Sequence, residues 1–116
     1  MKLIISKSDL LKGVQIVSKA VSSKTTMSIL ECILIDASKG NIRLVANDME
    51  LGIETIVEGQ IIEKGMVALP CKIFSDIVRS FSDDDITIET EDNYNTFLTC
   101  EKSKFNIIGR NPDEFS

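Results

Sequence analysis

The chain has 116 residues, 43% of them apolar, a formal net charge of −5, three cysteines and no histidine. That length and apolar content fit one compact domain with a real core, and no stretch approaches the roughly 20 apolar residues that span a bilayer. The run Leu3-Ile4-Ile5 is too short for a secretory signal. The odd, scattered Cys32, Cys71 and Cys100 read as small buried hydrophobes in a reducing compartment, so the chain reads as cytoplasmic, with no metal site or disulfide frame.

Residues 2–5 form the first predicted strand. Ser6 follows as an N-cap, with Asp9 three residues later in a capping-box position. The helix they open is predicted over Lys7 to Val21. Leu10, Leu11, Val14, Val17 and Val21 form its buried stripe, and Ser8, Lys12, Gln15, Lys19 and Ser22 its polar side. Ile16 lies at the boundary, and Gly13 reads as a point of close packing. Residues 22–26 are a polar loop. Three strands are expected next, at Ile29 to Ala37, Ile42 to Asn47 and Glu50 to Glu58, with turns at Ser38-Lys39-Gly40-Asn41 and Asn47-Asp48.

The pattern then repeats. Met66 to Leu69 is a strand, and Pro70 opens a second helix. There Ile73, Phe74, Ile77, Val78 and Phe81 take one face, and Lys72, Ser75, Asp76 and Arg79 the other. Ser82-Asp83-Asp84-Asp85 ends it, and strands follow at Ile86 to Glu91, Tyr94 to Glu101 and Lys104 to Gly109. The expected fold is α+β: two pseudo-symmetric strand–helix–three-strand halves, with both helices side by side on antiparallel sheets.

The residue inventory argues against an enzyme. Without histidine the commonest general base is missing, and the six glycines are scattered singly, so no phosphate-cradling loop exists. Asp83, Asp84 and Asp85 allow a metal-dependent hydrolase as a third-ranked reading, but three consecutive acids cannot all face one ion and a solvated turn explains them better. No cofactor is called for.

Charge carries more information. Lys7, Lys12, Lys19 and Lys24 against Asp9 give the first helix and its loop +3. Lys72 and Arg79 against Asp76 give the second helix +1, and the rest of the chain therefore holds −9 of the total −5. A basic helical face on an acidic body attracts phosphates to one side. With no aromatic, no Asn, and a single Gln and Arg, that face is poorly equipped for base stacking or base readout and suits loose contact with a duplex backbone. The same residues on any surface helix are commonly just solvated charge.

Several segments carry a resemblance: Met1 to Ile5 with Asp9-Leu10-Leu11-Lys12, Lys24 to Leu30, Asn47 to Leu51, Leu69 to Arg79, and Lys102-Ser103-Lys104-Phe105. Their order and spacing resemble the N-terminal domain of the bacterial DNA sliding clamp, the beta subunit of the replicative DNA polymerase III. The resemblance implies a processivity factor in which two chains of three such domains close a homodimeric ring around duplex DNA. The polymerase and the clamp loader would bind domains two and three, which lie outside these residues. It implies DNA contact by Lys12, Gln15, Lys19, Lys24, Lys72 and Arg79. It also implies a seam with the partner chain along residues 102–107, where Phe105 and Ile107 supply apolar contact and Lys102 and Lys104 face acids. By strand periodicity Phe105 and Ile107 share one side, so their role depends on which side that is. Ser28 and Ser116 stand where prolines are common in the family, and Cys71 replaces a small residue. Residues 1–116 are expected to be one such domain, ending about where a linker to the second begins. The alternative is an isolated interaction module that self-associates through exposed edge strands.

Overall fold

The structure, a computed structural model, describes residues 1–21 and 28–115, apart from the side chain of Ser28. The elements run β1 (Lys2–Ser6), α1 (Lys7–Val17), β2 (Cys32–Asp36), β3 (Ile42–Asn47), β4 (Gly52–Val57), β5 (Gln60–Glu63), β6 (Met66–Pro70), α2 (Cys71–Ser80), β7 (Asp85–Thr90), β8 (Asn95–Cys100) and β9 (Ser103–Ile108). They build two antiparallel sheets, one ordered β5-β1-β7-β8-β9 and the other β4-β3-β2-β6.

The two halves exchange their first strands. β1 pairs with β7 of the second half, and β6 pairs with β2 of the first. Each half therefore completes the other's sheet, and neither can bury its apolar face alone. Inward residues of both sheets and both helices merge into one core, among them Leu3, Ile35, Leu44, Ile88, Val14 and Phe74. A second, smaller cluster covers the outer side of β2 and β6. It joins Ile29, Leu30, Cys32, Ala68 and Phe115 through 3₁₀ turns at Ser28–Glu31 and Pro112–Phe115.

Local chemistry explains the helix starts. The Ser6 hydroxyl accepts from Asp9 N–H at 3.1 Å, satisfying one of the donors that open α1. Pro70 is the last residue of β6 and the cap of α2, one position earlier than expected. The first helix also ends sooner than predicted, passing into a 3₁₀ turn at Ser18–Ala20. There the Ser18 hydroxyl and N–H both turn back to the Val14 carbonyl, and this competing side-chain bond tightens the last turn.

Three further expectations change. Ile29 and Leu30 belong to a 3₁₀ turn, so the strand predicted from Ile29 begins only at Cys32. Residues 60–63, unassigned from sequence, form β5 against β1. Gly13 is a close approach, as expected: a Cβ there would lie 2.6 Å from Val57 Cγ2 and 2.9 Å from Leu44 Cδ1.

Candidate nucleic-acid interface and sheet-edge seam

The two helices lie side by side and antiparallel. At one end Ser18 Oγ sits 3.5 Å from Cys71 Sγ, and at the other the Lys7 ammonium donates to the carbonyls of Arg79, at 3.0 Å, and Phe81. Lys7 thus joins the start of α1 to the end of α2, where unpaired carbonyls and the negative end of the helix dipole favour a cation. Its charge, counted from sequence as part of the open basic face, is committed to this contact.

Their contact line explains the exceptions on α2. Ser75, placed on the polar side by its chemistry, is only 5% exposed, with its hydroxyl 3.6 Å from Cys71 Sγ. Ile73, placed on the apolar face, is 53% exposed. At 100° per residue, Cys71, Ser75 and Val78 share the side toward α1, and Ile73 lies on the flank away from it.

Lys12, Gln15 and Lys19 on α1 and in its 3₁₀ extension, and Lys72 and Arg79 on α2, are all exposed. They lie opposite the stripes that reach the common core (Leu10, Gly13, Val14 and Val17 on α1; Phe74, Ile77 and Val78 on α2). With the helices adjacent, these polar sides make one surface. Asp76 lies within it, accepting from Arg79 Nη2 at 3.0 Å, an exposed pair of small energetic weight. Lys24 lies outside the described residues.

The other predicted group lies on β9, which has β8 on one side only. Phe105 is 39% exposed, and its ring meets the Phe81 ring edge-on at 5.5 Å. Ile107, on the same side by strand period, is only 3% exposed within the chain's own core. Its expected place as an apolar surface contact therefore gives way to core packing. The exposed aliphatic of this edge is Ile108, 71% exposed and on the opposite side. Lys102 and Lys104 are exposed, with the Lys104 ammonium 4.7 Å from the centre of the Phe97 ring. The β6 edge differs: there Ala68 exchanges main-chain hydrogen bonds with Arg110 at 2.8 and 3.2 Å, which covers it.

Acids knit the sheet and its turns. Asp36 on β2, 4% exposed, takes Arg43 Nη2 at 2.6 Å and Ser38 N–H and hydroxyl at 2.9 and 2.6 Å, and Arg43 also reaches Glu54 on β4. Burial pushes the Asp36 carboxyl up, but the hydrogen bonds from Arg43 and Ser38 outweigh it and hold the group below the usual carboxylate range. The Asp48 carboxylate accepts from Leu51 and Glu50 N–H at 2.7 and 3.0 Å, which lowers its pKa and fixes the β3–β4 turn. Burial pushes the Cys32 thiol up, against any thiolate chemistry there. The Asp83–Asp85 run is exposed, and among the described residues no three His, Cys, Asp or Glu side chains are grouped to hold a metal ion. No described helix is long and apolar enough to cross a membrane.

Two strand–helix–meander halves with exchanged first strands and a paired, outward-basic helix layer define the domain type from which DNA clamps are built. Over residues 1–116 the chain matches the family described as DNA polymerase III beta subunit, N-terminal domain, and it belongs to that family. It is 38% identical to the beta sliding clamp of Synechocystis over 99% of its own length and 32% of the relative's. Among solved structures it superposes with TM-score 0.99 and 65% identity on a protein described as a DNA polymerase III beta subunit from Eubacterium rectale, covering all of this chain and 32% of that one. The DNA polymerase sliding clamp of Bacillus subtilis gives TM-score 0.95 and 33% identity, with 33% of that chain covered. The chain thus spans about a third of the length of these relatives.

Proposed function

We propose that this domain is the first of three in a sliding clamp, and that two such chains close a ring around duplex DNA and tether the replicative polymerase. The helix layer faces the duplex. Lys12, Gln15, Lys19, Lys24, Lys72 and Arg79 meet its phosphates, with no aromatic for stacking and no side-chain set for reading bases. Retention is topological, so the contacts stay weak and water-bridged and do not oppose sliding. The protein does no chemistry itself. Polymerase and clamp loader engage domains two and three. The open β9 edge, with Lys102, Lys104 and Phe105, meets the partner chain.

The observation that carries this reading is the antiparallel pairing of two helices whose outward sides are cationic, on a body that otherwise holds −9. The test is retention of the complete protein, loaded on closed circular and on linear duplexes. It is expected to persist on the circle, to be lost from free ends, and to weaken at low salt when Lys24 and Arg79 are changed to Glu. Equal retention on both forms, insensitive to these changes, would overturn the reading. The open β9 edge also supports self-association of the isolated domain. That second reading predicts concentration-dependent oligomers with no DNA retention.

A further inference from the structure

We propose that Lys7 is a positioning residue for the subunit seam, acting through Phe81 on Phe105. The inference rests on the reading of β9 as that seam. Lys7 holds the segment after α2 at two points: its ammonium donates to the carbonyls of Arg79 and Phe81, and its main-chain N–H donates to the Asp84 carbonyl at 2.9 Å. The turn between α2 and β7 is therefore fastened to the first residue of α1. Across the same turn, Ser82 Oγ lies 3.7 Å from Cys100 Sγ on β8.

Phe81, 4% exposed, is the side chain this turn places. Its ring meets Phe105 at 68°, the edge-to-face arrangement that fixes an aromatic ring's orientation as well as its position. Phe105 stands on a strand with one neighbour, so Phe81 is a support that does not come from its own sheet. A cation on the helix layer thereby sets the pose of the apolar residue at the sheet edge. When the ammonium is lost, two helix-end carbonyls lose a charged donor, the last turn of α2 relaxes, and Phe105 loses its rest.

The experiment measures the monomer–dimer dissociation constant of the complete protein by sedimentation, with circular dichroism melting on each variant. Lys7→Met is expected to raise the constant roughly tenfold, the scale of one lost charge-assisted hydrogen bond. Lys7→Arg, which keeps donors at the site, should largely restore it, and Lys12→Met, on the exposed side of the same helix, should leave it unchanged. In a Phe81→Leu background Lys7→Met should add little, because the route through Phe81 is already broken. Should Lys7→Met fail to fold, Phe81→Leu alone decides: a raised constant supports the route, an unchanged one overturns it. If Phe105→Asp separates the chains while Lys7→Met leaves the constant at wild type, the inference fails and the seam stands. If Phe105→Asp leaves the dimer intact, the seam reading itself fails.

Discussion

The helix layer and the β9 edge use opposite chemistry. The outward sides of α1 and α2 offer cations and hydroxyls, with no ring among them, whereas β9 offers an aromatic, an exposed isoleucine and open main-chain groups. Charge at the first surface acts at a distance, is screened by salt and leaves a partner free to move. Apolar contact and strand pairing at the second are short-ranged, nearly indifferent to salt and fix register. One small domain can thus carry a surface suited to slipping and another suited to locking.

The largest way to break this contrast is at the edge. Phe105→Asp puts a charge where a ring rests on Phe81, and the dissociation constant of the complete dimer should rise by about a hundredfold or more in sedimentation, as for an interfacial hot spot. The change should be similar at low and high salt.

At the helix layer the effects should be smaller and salt-dependent. Lys72→Glu should weaken DNA retention more than Arg79→Glu, since Asp76 already engages Arg79. Asp76→Asn should strengthen retention. Each lost phosphate contact should lower the slope of log affinity against log salt by about 0.9. Identical salt slopes for wild type and Lys72→Glu would remove this surface from the contact.

Beneath the helix layer, Gly13→Ala gains helix propensity but drives a methyl into Val57 and Leu44. The net expectation is a loss of about 1 kcal/mol, seen as a lower melting temperature, with DNA retention at a permissive temperature preserved.

The smallest effect belongs to the acid ladder of the sheet. Because the folded state lowers the Asp36 pKa, the stability it confers is present above the unfolded carboxylate pKa, roughly 4, and is lost as pH falls through the lower folded value. Arg43→Met removes the main lowering partner, so acid unfolding should begin at higher pH, with little change near neutrality in DNA retention.

Much of this arrangement was legible in the sequence where a periodic pattern ran uninterrupted. The Ile42–Asn47 strand, the Ser6 cap and the core stripe of α1 follow from alternation, capping chemistry and helical spacing. What was missed depends on neighbours distant in the chain. Ser75 is buried because α1 covers it, and Ile73 is exposed because it lies on the outer flank of the helix pair. Residues 60–63 are a strand only because β1 offers them an edge, and Ile29–Leu30 turn out of their strand to cover Phe115 and Ala68. For Ile107, period two correctly grouped it with Phe105, but strand period cannot say how deep each residue sits. Lys7 looked like one more surface cation because its acceptors are carbonyls more than seventy positions away.

The most direct measurement places a photo-crosslinking side chain, one position at a time, at Gln15 and Lys72 on the helix layer and at Glu54 and Glu89 on the exposed sheet, then loads the complete protein on circular duplex DNA. Adducts to DNA are expected from positions 15 and 72, independent of the DNA sequence, and none from 54 and 89. Adducts from the sheet positions equal to those from the helices, or none from positions 15 and 72 on loaded DNA, would contradict the claim that the duplex runs along the paired helices.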